Sequence, residues 1–307
     1  ENCSSDSLIP PAITEIPPHI LEEMYIEESD FLNAIPKVQP SAKREGFAVV
    51  PDTTWDDIGA LDSVRSELQM TIVAPLKYPE LYEAVGINSP AGLLLWGPPG
   101  CGKTLLAKAI ANESHSNFIS IKGPELLNKY VGESERSVRQ VFERARSSAP
   151  CVVFFDELDA LCPKRNDDAN VHSSRVVNQL LTEMDGLNER KNVFIIAASN
   201  RPDIIDPAML RPGRLDKLIY VDLPNPQERT EILQAISRKS PLSSDVNLTA
   251  IANDPRCDGF SGADLSALLR EAALASLRDQ FSSLQTIGTN NHIQITMEHF
   301  NRAFSRT

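Results

Sequence analysis

Residues 97–104 constrain this chain more than any others: Gly97-Pro98-Pro99-Gly100-Cys101-Gly102-Lys103-Thr104 stands between an apolar stretch at 92–96 and a helical one at 105–112. The pattern G-x-x-x-x-G-K-T, entered from a strand and left by a helix, makes a loop that cradles phosphate. Its glycines let successive backbone N–H groups turn inward, and the helix N-terminus adds the positive end of its dipole. Lys103 is then placed to reach the β and γ phosphates, and the Thr104 hydroxyl to ligate Mg²⁺. An accidental glycine-rich turn would not be expected to carry both flanks. The strand and helix also need partners on their apolar faces, so the loop implies a layered α/β domain around it.

Four more short apolar runs supply those partners. Residues 117–121, 151–155, 193–198 and 218–221 resemble 92–96 in showing no alternation with polar positions, as buried parallel strands do. Helical segments lie between them: Val138, Val141, Phe142 and Ala145 recur at helical spacing, and Leu180, Leu181 and Met184 mark another apolar face. The alternation predicts a doubly wound, five-stranded parallel sheet with helices on both faces. After Pro224 no strong strand pattern returns, while 228–236 and 263–277 are helical, so a small all-helical lid is expected over 224–307 and the α/β subdomain over 53–223. Residues 1–52, rich in Pro, Ser and acidic groups, are expected to form a linker. Within them Ile26, Phe31 and Ala34 share the spacing of Ile295, Phe300 and Ala303 near the C-terminus. If that repeat is real, 20–35 is the closing helix of a preceding module of the same kind.

A strand that ends in Asp156-Glu157 puts two carboxylates at the sheet edge where the phosphate loop lies. Alone, such an ending is an ordinary acidic turn. Beside a phosphate loop, Asp156 is expected to hold Mg²⁺ through its water shell and Glu157 to polarise the attacking water as general base. The strand at 193–198 brings Asn200 to the same edge, where its amide can orient that water or meet the γ phosphate; the bland alternative is a turn-forming Asn before Arg201-Pro202.

Bulk properties narrow the function classes. Thirty Lys and Arg against 42 Asp and Glu leave a net charge of −12, which opposes non-specific attraction to nucleic acid or acidic membranes. No apolar run approaches the roughly 20 residues of a membrane span. Five cysteines without a CxxC pair disfavour a disulfide framework or a zinc site and suit a reducing compartment. The first residue is Glu1 rather than Met, so any targeting signal is expected to lie outside these residues.

Together these motifs resemble the AAA ATPases of the valosin-containing-protein type, over the chain from about Trp55 onward. Asp57-Ile58-Gly59 is similar to the family's adenine-contacting segment. Ser199-Asn200-Arg201-Pro202-Asp203 and Leu210-Arg211-Pro212-Gly213-Arg214-Leu215-Asp216 resemble its second region of homology, and Phe260-Ser261-Gly262-Ala263-Asp264-Leu265 the part of the lid that touches nucleotide, with Gly262 and Ala263 nearest base and ribose. The resemblance implies a P-loop NTPase fold that binds Mg²⁺ and ATP through Asp57, Ile58, Gly59, Pro98 to Leu105, Asp156, Asn200, Gly262 and Ala263. It implies a homo-oligomer, a hexameric ring, in which Arg211 and Arg214 act as arginine fingers in the neighbouring subunit's site. A guanidinium there would neutralise charge developing in the transition state. Asp185-Gly186-Leu187 matches the inter-subunit signalling loop, although a helix-ending glycine would also explain Gly186. Lys129, Tyr130 and Val131 fall at the first pore loop, where an aromatic ring can grip extended polypeptide; Tyr130 could instead be a core aromatic. The polar stretch 166–174 would be the second pore loop.

Within the family, the runs 123–136, 159–165 and 39–47 are most similar to the second ATPase module of its nuclear, ribosome-assembly branch. That likeness implies a motor that releases assembly factors from pre-60S ribosomal particles in the nucleus, nucleolus and nucleoplasm, acting on protein clients without sequence-specific nucleic-acid or membrane binding. Two alternatives remain at this point: a ubiquitin-linked segregase with the same engine, and a nucleotide-gated scaffold that does not hydrolyse. The intact Glu157, Asn200, Arg211 and Arg214 argue against the scaffold.

Overall fold

The computed structural model describes residues 28–34, 50–86, 92–127, 133–164, 171–186, 193–287 and 294–305. The chain divides into two compact units, Glu1–Gly46 and Phe47–Thr307. The described part of the first is a single helix, α1 (Glu28–Ala34), in which Phe31 is 61% exposed.

In the second unit the apolar runs form five parallel strands: β1 (Gly92–Trp96), β2 (Asn117–Lys122), β3 (Cys151–Asp156), β4 (Val193–Ser199) and β5 (Leu215–Tyr220), in the order β2-β3-β4-β1-β5. The first four lie within one residue of expectation. β5 begins three residues before the expected 218, because it is an edge strand: Leu215 and Ile219 are buried while Asp216, Leu218 and Tyr220 are exposed, so polar positions interrupt its apolar run.

Side-chain alternation divides the sheet between two cores. Leu93, Leu95, Val152, Phe154, Ile196 and Ala198 face α2 (Asp62–Leu68), the π turn Gln69–Val73 that follows it, and α5 (Lys103–Glu113). The short helices α3 (Ala74–Lys77) and α4 (Pro79–Val85) follow that turn. Leu94, Val153, Phe155, Ile195 and Ala197 face α6 (Glu133–Ser147) and α8 (Val171–Asp185), through Val138, Phe142, Leu180 and Met184. Each fully buried side chain of this kind contributes about 1.5–3 kcal/mol over exposure, so the central strands are rigid platforms for whatever their carboxyl ends carry. Between β3 and α8 lies the one-turn helix α7 (Leu158–Leu161).

The lid consists of α9 (Pro226–Ser237), α10 (Leu248–Ala252), α11 (Gly262–Ile287) and α12 (Met297–Phe304) around Leu233, Ile251, Leu265, Leu268 and Phe300. α9 starts at Pro226 because Asn225 caps it: the Asn225 side chain accepts from Glu228 N at 2.9 Å and Glu228 Oε2 accepts from Asn225 N at 2.8 Å. Buried Arg229 donates to Ala252 O and Pro224 O and pairs with Asp258, tying the lid to the strap that joins it to β5. α11 extends ten residues past the expected end at 277.

The expected second pore loop at 166–174 is corrected in part. α8 begins at Val171, so 171–174 are helical. Residues 165–170, the first pore loop with Lys129, Tyr130 and Val131, and Cys3 lie outside the described residues. Among the described residues Cys101, Cys151, Cys162 and Cys257 are buried and free, no cluster could hold a metal ion through His, Cys and carboxylates alone, and no helix is long and apolar enough to cross a membrane.

Candidate nucleotide site

β1 passes into the phosphate loop at Gly97, where φ is +149° and a Cβ would stand 2.1 Å from Val221 O, on the strap to the lid. At the other end, Gly102 caps α5 with φ +83° and faces open space, so its left-handed backbone alone selects glycine. Lys103 opens α5 and is 7% exposed; its Nζ donates to Gly97 O at 2.9 Å and Pro98 O at 2.7 Å, and burial lowers the ammonium below the usual lysine range. The amine therefore lies within the curve of the loop, fixed by the loop's own carbonyls. Cys101 is also buried there, which raises its thiol above the usual range.

The carboxyl ends of β1, β3 and β4 deliver the polar groups to one edge. Trp96 is in register with Ser199 and Phe155 with Ala197, so the loop, Asp156 and Asn200 emerge side by side. Thr104 Oγ1 donates to Asp156 Oδ2 at 3.0 Å, and Glu157 N donates to Asp156 Oδ1 at 3.0 Å. A hydroxyl and a carboxylate brought together beside a phosphate loop form a hard-oxygen donor set that suits Mg²⁺, which keeps several waters and takes few protein ligands. Glu157 is exposed and holds a left-handed backbone, φ +54°, uncommon outside glycine. Gly123 makes room for it: a Cβ there would stand 2.4 Å from Glu157 O. The demand on Gly123 was invisible in the sequence because the approach is between segments far apart in the chain.

These groups line a cleft of about 410 Å³ between the sheet edge and the lid. Asp57, Ile58, Gly59, Pro99 to Leu105, Asp156, Glu157, Asn200, Gly262 and Ala263 all border it; Pro98 contributes through its carbonyl on Lys103. The Asp57 carboxylate is occupied locally, accepting from Thr54 N at 2.9 Å and Thr54 Oγ1 at 3.1 Å, bonds that hold it below the usual carboxylate range. Its segment therefore meets the cleft through backbone and the Ile58 side chain. The lid closes the other side. Ala263 N, one of the N–H groups that a helix start leaves without a partner, donates to Gly100 O at 3.1 Å. A Cβ on Gly59 would stand 2.4 Å from the backbone of Glu231 and Ile232 on α9.

Sequence reasoning missed the apolar end of the cleft, formed by Leu61, Pro224, Ile232 and Ile236 with the Ser266 hydroxyl nearby. Ile232 and Ile236 are one helical turn apart, the spacing of any core face, and nothing local distinguished them from lid core.

The two arginines differ. Arg211 is exposed. Arg214 is bound within its own chain: Nε and Nη2 donate to the two Asp185 oxygens at 2.7 Å each, and Nη1 donates to Ala208 O at 2.6 Å, leaving the side chain 15% exposed. The bond to Asp185 raises Arg214 and lowers Asp185 from their usual ranges. Of the expected pair of fingers, only Arg211 is presented outward as the chain stands. Asp185 ends α8 beside Gly186, so the expected signalling segment is linked directly to Arg214.

Residues 93–223 match the ATPase family associated with various cellular activities (AAA), and residues 245–301 match the AAA+ lid domain. The chain is 62% identical over 269 residues to the ribosome biogenesis ATPase RIX7 of Saccharomyces cerevisiae, covering 87% of this chain and 32% of that protein. It is 59% identical over 289 residues to the nuclear valosin-containing protein-like protein of Mus musculus, covering 93% and 34%, and 48% identical over 297 residues to a cell division cycle protein 48 homolog of Archaeoglobus fulgidus, covering 95% and 40%. The chain thus spans about a third of the length of these relatives. With a phosphate loop, an acidic strand end and a helical lid meeting in one cleft, and with these matches over both parts, the chain belongs to the AAA ATPases, of the valosin-containing-protein type.

Proposed function

We propose that this module hydrolyses ATP with Mg²⁺ and, as one subunit of a homo-oligomeric, hexameric ring, uses the cycle to remodel protein clients, releasing assembly factors from pre-60S ribosomal particles in the nucleus. The observation that carries the chemistry is the contact of Thr104 Oγ1 with Asp156 Oδ2 at 3.0 Å in a cleft that also contains Lys103, Glu157 and Asn200. Thr104 and Asp156 would hold the metal ion. When bound, Mg²⁺ neutralises charge on the β and γ phosphates. Lys103 exchanges the Gly97 and Pro98 carbonyls for phosphate oxygens, Glu157 takes the proton of the attacking water, and Asn200 orients that water. Ile58, Ile232 and Ile236 sandwich the base, with Gly262 and Ala263 against the ribose.

Arg211 reaches the neighbouring subunit's γ phosphate; Arg214 joins it only by giving up Asp185. Lys129, Tyr130 and Val131 line the central pore and grip the client. Residues 53–223 and 224–307 serve as motor and lid, and 1–52 as a linker carrying the last helix of a preceding module. In support of that last point, Phe31 lies on a helix, α1, as Phe300 lies on α12.

The client class is supported by the names of the yeast and mouse relatives, the former a ribosome biogenesis ATPase and the latter nuclear. The archaeal likeness favours the same engine and leaves a ubiquitin-linked segregase as the second reading. A Glu157→Gln trap separates them. The variant should retain ATP and hold its clients; pre-60S factors in the trapped material support the first reading, and ubiquitinated proteins without them overturn it in favour of the second.

A further inference from the structure

We infer that Ser199 and Asp159 form a positioning pair which fixes Glu157 and Asn200 relative to each other and to the phosphate loop, and which governs the hydrolytic step rather than nucleotide binding. The inference rests on the roles proposed above for Glu157 and Asn200.

Those two residues come from different strands, and the β3–β4 ladder ends before either of them, at Phe155 and Ala197. Beyond that point the sheet no longer sets their separation. Ser199 takes over. Its side chain is 2% exposed, and Oγ donates to Asp159 Oδ1 at 2.7 Å while accepting from Arg201 N at 2.9 Å. A hydroxyl has one proton; given to Asp159, it leaves the lone pairs for the Arg201 N–H, so the two bonds run in series through one oxygen. The bond to a carboxylate is the strong, short kind.

Each end of this series abuts a reacting group. Asp159 lies in the first turn of α7, the helix that Glu157 caps with its left-handed backbone, a conformation that persists only when the surroundings hold it. Arg201 follows Asn200 directly, so Ser199 grips the chain on both sides of the amide. The Ser199 backbone adds a third link, its carbonyl accepting from Gly97 N at 3.3 Å, and Gly97 O in turn receives Lys103 Nζ. A single residue thus joins the phosphate loop, the turn of Glu157 and the segment of Asn200. Neither Ser199 nor Asp159 borders the cleft, so both act through the residues they hold.

The test is steady-state ATPase kinetics on the assembled full-length protein, with ATP affinity measured by a fluorescent ATP analogue and folding by thermal melting. Ser199→Ala should lower kcat about 10- to 100-fold, the loss that a displacement of about 1 Å brings to reacting groups. KM and ATP affinity should stay within about twofold of wild type, since Lys103, the phosphate loop and the apolar end of the cleft keep their own side chains and contacts. Ser199→Thr, which keeps the hydroxyl, should restore most of kcat, and adding Asp159→Ala to Ser199→Ala should cost little more, as members of one series do. A wild-type kcat in Ser199→Ala, a rise in KM at constant kcat, or a Thr variant that folds yet stays as slow as Ala overturns the inference. Should Ser199→Ala fail to fold, Asp159→Ala decides, a normal kcat in that variant counting against the pair. Glu157→Gln run beside them keeps the two readings apart: if it hydrolyses at the wild-type rate the base assignment fails, whereas an inactive Glu157→Gln with a fully active Ser199→Ala overturns only the positioning pair.

Discussion

Gly59→Ala isolates the coupling between the lid and the apolar end of the cleft, where the base is proposed to bind. The backbone at Gly59 is not left-handed, so alanine brings no conformational strain there; its whole effect is the added methyl. That methyl would stand 2.4 Å from Glu231 C, Glu231 O and Ile232 N. All three are backbone atoms of α9 and cannot turn away as a side chain could. Ordinary contact begins near 3.4 Å, so α9 must retreat by about 1 Å, at the cost of overpacking, about 1–3 kcal/mol. Since α9 carries Ile232 and Ile236 into the cleft, the retreat widens its apolar end. If that strain falls on the nucleotide-bound form, ATP affinity should weaken about 5- to 150-fold, at 1.4 kcal/mol per factor of ten. Once ATP saturates, kcat should change far less, because Glu157 and Asn200 follow β3 and β4 directly and are not carried by the lid. Titration with a fluorescent ATP analogue reads the first quantity and saturating ATPase assays the second. Wild-type affinity in a folded Gly59→Ala protein would refute the claim that this backbone contact sets the width of the cleft.

Arg211→Ala should lower the ATPase rate of the assembled protein by about 10³-fold, with ATP binding and melting temperature unchanged; Arg214→Ala should also melt earlier, because it leaves Asp185 and Ala208 O without their donor. The Arg214 bonds hold Asp185 below the usual carboxylate range, so the pair's stabilisation is complete above about pH 4 and is lost as pH falls through the depressed value. Melting curves of wild type and Asp185→Asn should therefore differ by a constant amount from neutral pH down to about pH 5 and converge below about pH 4; a gap that widens on acidification contradicts the sign. Phe300→Ala, at a fully buried position of the lid, should cost about 3–5 kcal/mol in denaturant unfolding, whereas Phe31→Ala, 61% exposed, should change stability by less than about 0.5 kcal/mol.

What the sequence disclosed and what it hid follow from how each part of the cleft is made. The phosphate end is local: Gly97 to Thr104 carry their own geometry, and β3 and β4, buried on both faces, announce themselves as continuous apolar runs that end at Asp156 and Ser199. β5 was misplaced because an edge strand exposes alternate residues. The apolar end is tertiary. Ile232 and Ile236 have the spacing of core residues, and Gly59 and Gly123 are glycines only because backbones distant in sequence come within 2.4 Å of where a Cβ would be. Arg214 shows the same limit from another side, since a motif can mark an arginine but not the Asp185 that holds it. The division has a mechanical consequence. The lid meets the cleft at both ends, through Ala263 N on Gly100 O at the phosphate loop and through α9 on Gly59 at the apolar end, with no side-chain slack at either contact. A change in the shape of the loop would therefore reach the lid through backbone contacts alone, the linkage that the proposed remodelling cycle calls for.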